Sequence, residues 1–241
     1  PKLLQMEVRA FQIYYEDSQA ENLLPGFIPY FNTHTDIFLE SSVISRIEKE
    51  NRHLNYNWLG VFSHKVNKKL IQDSMYGDFN FKRIEYMCNH RSAQDYDILA
   101  PKPSRYPWKN VRKHHQPREQ HAAKHLWRGF DVLLQKLKIP NLNNGNYLDK
   151  ELNMIYTNSF MAKKQVMRDF IESMLDPAIK LIETDEELHR LCRNNANYNR
   201  PVPENFTKFT GMTYWPVAPF ILERMINTYI LTHSKKVLYS L

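Results

Sequence analysis

Glycine is scarce in this chain, 6 residues in 241, and the scarcity removes whole classes of function. Dinucleotide fingerprints and Walker phosphate loops need clustered glycines so that backbone N–H groups can close on phosphate. Neither G-x-G-x-x-G nor G-x-x-x-x-G-K-[ST] occurs, and G-x-S-x-G is absent too. Cysteine is rarer still. Cys88 and Cys192 are far apart and form no CxxC pair, so both thiols are expected free, as in a reducing compartment. No apolar run approaches the roughly 18 residues of a membrane span, and residues 1–7 hold no signal-peptide core.

What is present describes a globular chain. Hydrophobic residues make up 42%, and 241 residues can bury a core without disulfide staples. The formal charge of +7 fits three kinds of partner: nucleic acid, an anionic membrane surface, or a phosphate-bearing small molecule. The charge is spread along the chain, with a local excess between Lys102 and Lys138. It forms no dense arm of the kind nucleic-acid binders carry.

Hydrophobic periodicity predicts strands at Val8–Tyr15, Trp58–Ser63, Tyr96–Ala100 and Asn153–Phe160. Residues 25–32 read as a loop, or an edge strand at best, because of Pro25 and Pro29. Helices are predicted over Leu39–Asn51, Lys68–Ser74, Arg118–Leu137, Lys163–Leu175, Pro177–Glu183 and Phe220–Tyr239, and Phe79–Asn89 is ambiguous. Strands alternating with helices imply an α/β sheet, mainly parallel, with helices on both sides and no linker or repeat. Ligands of such sheets sit beyond the C-terminal strand ends.

Four constellations could carry chemistry. Asp95-Tyr96-Asp97 offers two carboxylates at i and i+2 for a divalent cation, or a plain strand cap. Its second Asp opens the apolar strand instead of following it. Ser63-His64-Lys65 ends an apolar strand, where His64 and Lys65 suit phosphate oxygens or simply water. Arg112 to His125 is a basic run in which His121 and His125 share a helical face at zinc spacing. No third ligand is evident, so a basic helix face or a phosphate rim is the better reading. Glu223-Arg224 opens an amphipathic helix, where Glu223 could act as a general base and Arg224 could meet a pyrophosphate. On base rates alone, a helix-start carboxylate beside a salt-bridging arginine is the better reading.

The order of five segments resembles bacterial GT-A-type glycosyltransferases that build capsules and lipopolysaccharide. The segments are Ile13-Tyr14-Tyr15 with Pro29-Tyr30-Phe31-Asn32 after it; Leu59 to Lys65; Tyr96 to Pro103; Tyr156 to Lys163; and Pro219 to Met225. The resemblance implies a GT-A-like, Rossmann-type, mainly parallel sheet flanked by helices, as a single domain over residues 1–241. It implies a nucleotide diphosphate-sugar donor, a saccharide or lipid-linked saccharide acceptor, and a cytoplasmic enzyme, with no nucleic-acid partner. The basic surface would suit the anionic inner face of the membrane. Tyr14, Tyr15, Asn32, His64, Lys65 and Asp97 would border the nucleotide sugar. Glu223 and Arg224 would lie near the reacting centre, and Asp95 with Asp97 would hold Mn²⁺ or Mg²⁺. Two other readings compete: a nucleic-acid-binding protein or nuclease, and an inactive scaffold on a transferase fold.

Overall fold

The computed structural model describes residues 7–33, 35–66, 79–101, 122–139, 155, 158–198 and 200–239. The predicted helix at Lys68–Ser74 and the basic run from Arg112 to His121 lie outside them. A six-stranded sheet runs in the order β2-β1-β3-β5-β4-β6, where β1 is Val8–Tyr14, β2 Ile28–Phe31, β3 Trp58–Ser63, β4 Ile98–Ala100, β5 Phe160–Lys163 and β6 Val237–Tyr239. Five strands point one way. Only β5 is reversed, antiparallel to both β3 and β4.

Side chains alternate faces along every central strand, as the pleat demands. Phe11, Ile13, Leu59, Val61, Ile98, Ala100, Phe160 and Ala162 join the larger core. Ala10, Trp58, Phe62, Leu99 and Met161 join a smaller one on the other side. The smaller core is covered by α2 (Phe81–Asn89), which inserts Ile84 and Cys88 and is capped by the Asn80 side chain. The larger core is covered by α1 (Glu40–Asn51), α3 (Ala122–Lys136) and the C-terminal helices. Gly60 suits β3: a Cβ there would meet the Met161 sulfur and stand 2.9 Å from the Phe160 carbonyl of the neighbouring strand.

Three expectations need correction. The strand predicted at Asn153–Phe160 lies in large part outside the described residues; β5 begins at Phe160, where the expectation ended, and runs to Lys163. Asn158 occupies a left-handed conformation (φ 53) that an extended strand excludes. The two helices predicted between Lys163 and Glu183 form one run: α4 (Lys164–Phe170), a π turn (Ile171–Leu175) and α5 (Asp176–Thr184). Pro177 sits at the start of α5, where its missing N–H does least harm. After α6 (Glu186–Cys192) and α7 (Glu204–Thr210), the last predicted helix divides into α8 (Ala218–Leu222), α9 (Met225–Thr232) and β6. Ser234, at φ 49, turns the chain so that Val237–Tyr239 pairs with β4.

Among the described residues no helix is long and apolar enough to cross a membrane. Both cysteines are buried and unpaired by disulfide. Burial pushes the Cys192 thiol up to about 12 and Cys88 higher still.

Candidate functional site

The parallel strands β1, β2 and β3 end together. Tyr14 is level with Phe31, and Ile13 with Ser63. The chain leaves each into a short polar segment, so their exits form one rim. Because β5 is reversed, the segment that feeds it, Asn158-Ser159, enters the same rim and is buried there.

Tyr15 is the centre of this rim. Its ring meets His64 edge-on at 6.0 Å. Its backbone N–H is held by the Gln19 side chain at 2.9 Å, and its carbonyl by Asn205 at 3.2 Å. Its hydroxyl is buried and has no hydrogen-bond partner among the described residues. Burial, then the carboxylates of Glu40 and Asp36, raise that hydroxyl well above its ordinary range. It therefore stays protonated and is a hydrogen-bond donor at any physiological pH.

Asn32 is the second member. Its N–H bonds the Tyr14 carbonyl at 2.8 Å, and Arg46 donates to its Oδ1 at 3.1 Å. A guanidinium can only donate, so it fixes the carboxamide with oxygen toward Arg46. The Nδ2 is then left buried and without a partner among the described residues. These two buried donors, both without an acceptor among the described residues, could each meet an oxygen of water or of a ligand. Beside them, Asn158 Nδ2 lies 3.5 Å from the Ser41 hydroxyl at the start of α1. Phe31, 45% exposed, stacks on Tyr14 at 4.9 Å.

Burial also raises the Asp36 pKa, against hydrogen bonds from Ser42 and Phe38 that lower it. A carboxyl that binds its proton more tightly folded than unfolded stabilises the fold at low pH. That contribution is lost as pH rises through the folded value. Asp36→Asn keeps the acceptor for the Phe38 N–H and removes the charge. It is expected to raise the melting temperature at pH 7 relative to wild type and to leave it level at pH 3. Equal melting temperatures at both pH values would contradict this.

The candidate residues from sequence divide by position. Tyr14, Tyr15, Asn32, His64 and Lys65 share the rim; Lys65 is exposed, its N–H on the Ser63 hydroxyl at 3.3 Å. Asp97 does not. Register through β5 makes Ile98 level with Leu59 and Arg9, at the start of the parallel strands. From Arg9 to Tyr14 the strand advances roughly 17 Å at about 3.3 Å per residue. Asp97 instead accepts the Lys236 N–H at 2.9 Å, and its carbonyl takes the Lys163 N–H. It joins the turn before β6 to the sheet. Asp95 is exposed at the end of a 3₁₀ turn on that same far side. As placed, the pair does not fit a cation that would bridge a diphosphate at the Tyr15 rim. Among the described residues no group of three His, Cys, Asp or Glu side chains could hold a metal ion.

Arg224 is also not where a pyrophosphate could meet it. It is 1% exposed, donates to the Phe220 carbonyl and lies over the Trp127 ring at 5.0 Å. Glu223 is half-buried in the turn between α8 and α9. α8 packs against α1, and Asn227 of α9 exchanges two hydrogen bonds with the Ile155 backbone (2.9 and 3.0 Å), three residues before Asn158.

Sequence reasoning missed Asp36, Glu40, Asn158 and Asn205. Asp36 and Glu40 flank a helix start at i, i+4, a signal that was available. Asn205 lies 190 residues from its partner Tyr15, and no local pattern announces it. An open depression lined by Asp169, Glu172, Ser173, Tyr229, His233 and Lys235 lies at the opposite end, by the entry to β6. It sets two carboxylates against a lysine, and none of the rim residues borders it.

No protein-family model and no curated protein sequence matches this chain. Among solved structures, the chain is similar to the apo structure of WbbM, a bifunctional glycosyltransferase, with a TM-score of 0.55 and 16% identity. The match covers 96% of this chain and 44% of that one, so the chain spans less than half the length of that protein. At such identity the likeness speaks for the fold: a mostly parallel six-stranded sheet flanked by helices, in a glycosyltransferase-like arrangement.

Proposed function

We propose that this chain transfers a sugar from a nucleotide diphosphate-sugar donor to a saccharide or lipid-linked saccharide acceptor, in the synthesis of cell-surface polysaccharide. The observation that carries the reading is the pair of buried, unpartnered donors, Tyr15 Oη and Asn32 Nδ2, at the joint exit of three parallel strands. The fold's likeness to a bifunctional glycosyltransferase supports the reaction class.

Glycosyl transfer builds positive charge on the sugar ring and negative charge on the departing diphosphate. In this reading Tyr15 and Asn32 donate to donor oxygens, and His64 and Lys65 stabilise the leaving group. The exposed Tyr14–Phe31 stack flanks the base or a sugar. Glu223 takes the proton of the attacking acceptor hydroxyl. Arg224 supports the α8–α9 turn from inside. The net charge of +7 favours a cytoplasmic enzyme working against anionic inner-membrane lipid.

A thermal-shift panel of UDP-, GDP-, CMP- and dTDP-sugars, with and without Mn²⁺, tests the reading. One donor at about 100 times its Kd adds about 2.7 kcal/mol, a rise of about 5–10 °C for a chain this size. Tyr15→Phe removes the unpartnered hydroxyl. It is expected to melt no lower than wild type when free and to lose much of the donor-induced rise. A panel that moves nothing, alongside steeply salt-dependent binding to DNA or RNA, favours the nucleic-acid reading.

A further inference from the structure

We infer that the depression lined by Asp169, Glu172, Ser173, Tyr229, His233 and Lys235 is a second binding site, for a small amino acid with an ammonium at one end and a carboxylate at the other. Its volume of about 370 Å³ falls within the range of small-molecule sites, about 300–1,000 Å³. Its floor is Tyr229 of α9, 0% exposed, whose ring packs on Phe170 at 5.4 Å and on His233 at 4.4 Å. The ring is thus fixed, yet its hydroxyl is buried and has no hydrogen-bond partner among the described residues. Of the charges that act on this hydroxyl, Asp169 of the same depression is the stronger and Asp97 the weaker, so it is turned toward the wall that carries Asp169. Burial, then these two carboxylates, raise its pKa, and it stays a proton donor. A buried donor without an acceptor costs free energy, which an anionic oxygen in the depression would recover.

Charge selects the occupant. Lys235 lies over the Tyr229 ring, its ammonium 5.6 Å from the centroid, and forms no ion pair with Asp169 or Glu172. Glu172 is already engaged by Arg52 at 2.7 Å. Asp169 accepts the Gln165 carboxamide on Oδ1 at 2.7 Å, and its Oδ2 accepts from no described residue. The depression thus keeps a cation and an unengaged carboxylate oxygen apart, with the Tyr229 hydroxyl beside them. A simple anion would be drawn by Lys235 and repelled by Asp169 and Glu172. A metal cation would meet the reverse, and no group of three ligands for one stands among the described residues. An amino acid satisfies both ends at once: its ammonium meets Asp169, and its carboxylate meets Lys235 and the Tyr229 hydroxyl. The single charge of a carboxylate matches the single lysine.

Ligand-observed NMR titrations against the whole chain test this. The probes are glycine, β-alanine and γ-aminobutyrate, which set the two charges progressively further apart, with propionate and propylamine as the separate halves. At least one amino acid is expected to bind about tenfold or more tightly than either half, because its second contact forms within a molecule already bound. Tyr229→Phe removes only the unpartnered hydroxyl. It is expected to melt no lower than wild type and to weaken that amino acid about tenfold, the worth of a hydrogen bond to a charged group. Lys235→Gln is expected to remove the advantage of the amino acid over propylamine. An amino acid no tighter than its halves, or bound equally by Tyr229→Phe, overturns the inference, as does a wild type that binds none of the probes. No residue of the Tyr15 rim borders the depression, so either result leaves the transfer reaction to its own test.

Discussion

Glu223→Gln is expected to lower kcat for sugar transfer by at least about 100-fold, the usual worth of a positioned general base. Glutamine preserves the size of the side chain and removes its charge and its capacity to take a proton. Donor-induced thermal stabilisation is therefore expected to persist while turnover falls. The combination matters, because a mutant that loses both has lost the rim and says nothing of proton transfer. Transfer within a few-fold of wild type would remove Glu223 from the base role. Asp36 and Glu40, whose charges reach the Tyr15 hydroxyl, would then be the carboxylates to replace.

The largest effect on stability is expected at Glu48, far from that chemistry. Its side chain is fully buried in α1 and takes two hydrogen bonds from Arg52, at 3.1 and 2.7 Å, with Arg168 a further 3.5 Å away. Arg52 also reaches Glu172 in the π turn at 2.7 Å. The carboxylate thus fastens α1 to α4 and to the irregular turn that follows it. Removing one partner of a buried ion pair costs about 3–5 kcal/mol, because the other charge is left without compensation. Here the guanidinium groups keep some access to water, which moves the expectation to about 3 kcal/mol for Glu48→Ala. Urea unfolding measures it directly. A loss under about 1 kcal/mol, the worth of a surface pair, would mean that the two arginines find water unaided.

Much of the frame was legible in the sequence, and the reasons are local. Trp58-Leu59-Gly60-Val61-Phe62-Ser63 is apolar without interruption because it is buried on both faces, and Val43, Ile44 and Ile47 mark the inner stripe of α1. Tyr14, Tyr15, Asn32, His64 and Lys65 were found together because parallel strands end where their neighbours end. Strand direction also explains Asp97. A residue that opens an apolar parallel strand stands at the entry edge, and its place before Ile98 already carried that sign. Arg224 was not legible in the same way. Its charge suggested the surface, whereas the aromatic neighbour that allows its burial, Trp127, lies 97 positions earlier in the chain. Met161-Ala162-Lys163 was not read as strand because it lacks the β-branched residues that mark one; pairing on both sides holds it extended.

The reversed strand also governs the order in which the sheet can be completed. On a growing chain, β1, β2 and β3 can zip together once residue 63 has emerged. β4 then has no neighbour at all: its two partners are β5, some sixty residues later, and β6, near residue 239. Until both arrive, Ile98-Leu99-Ala100 is an unclaimed apolar segment, open to self-association. Closure over such long separations is slow. The final seam of the sheet should therefore be the step at which this protein either reaches its native state or is lost to aggregation.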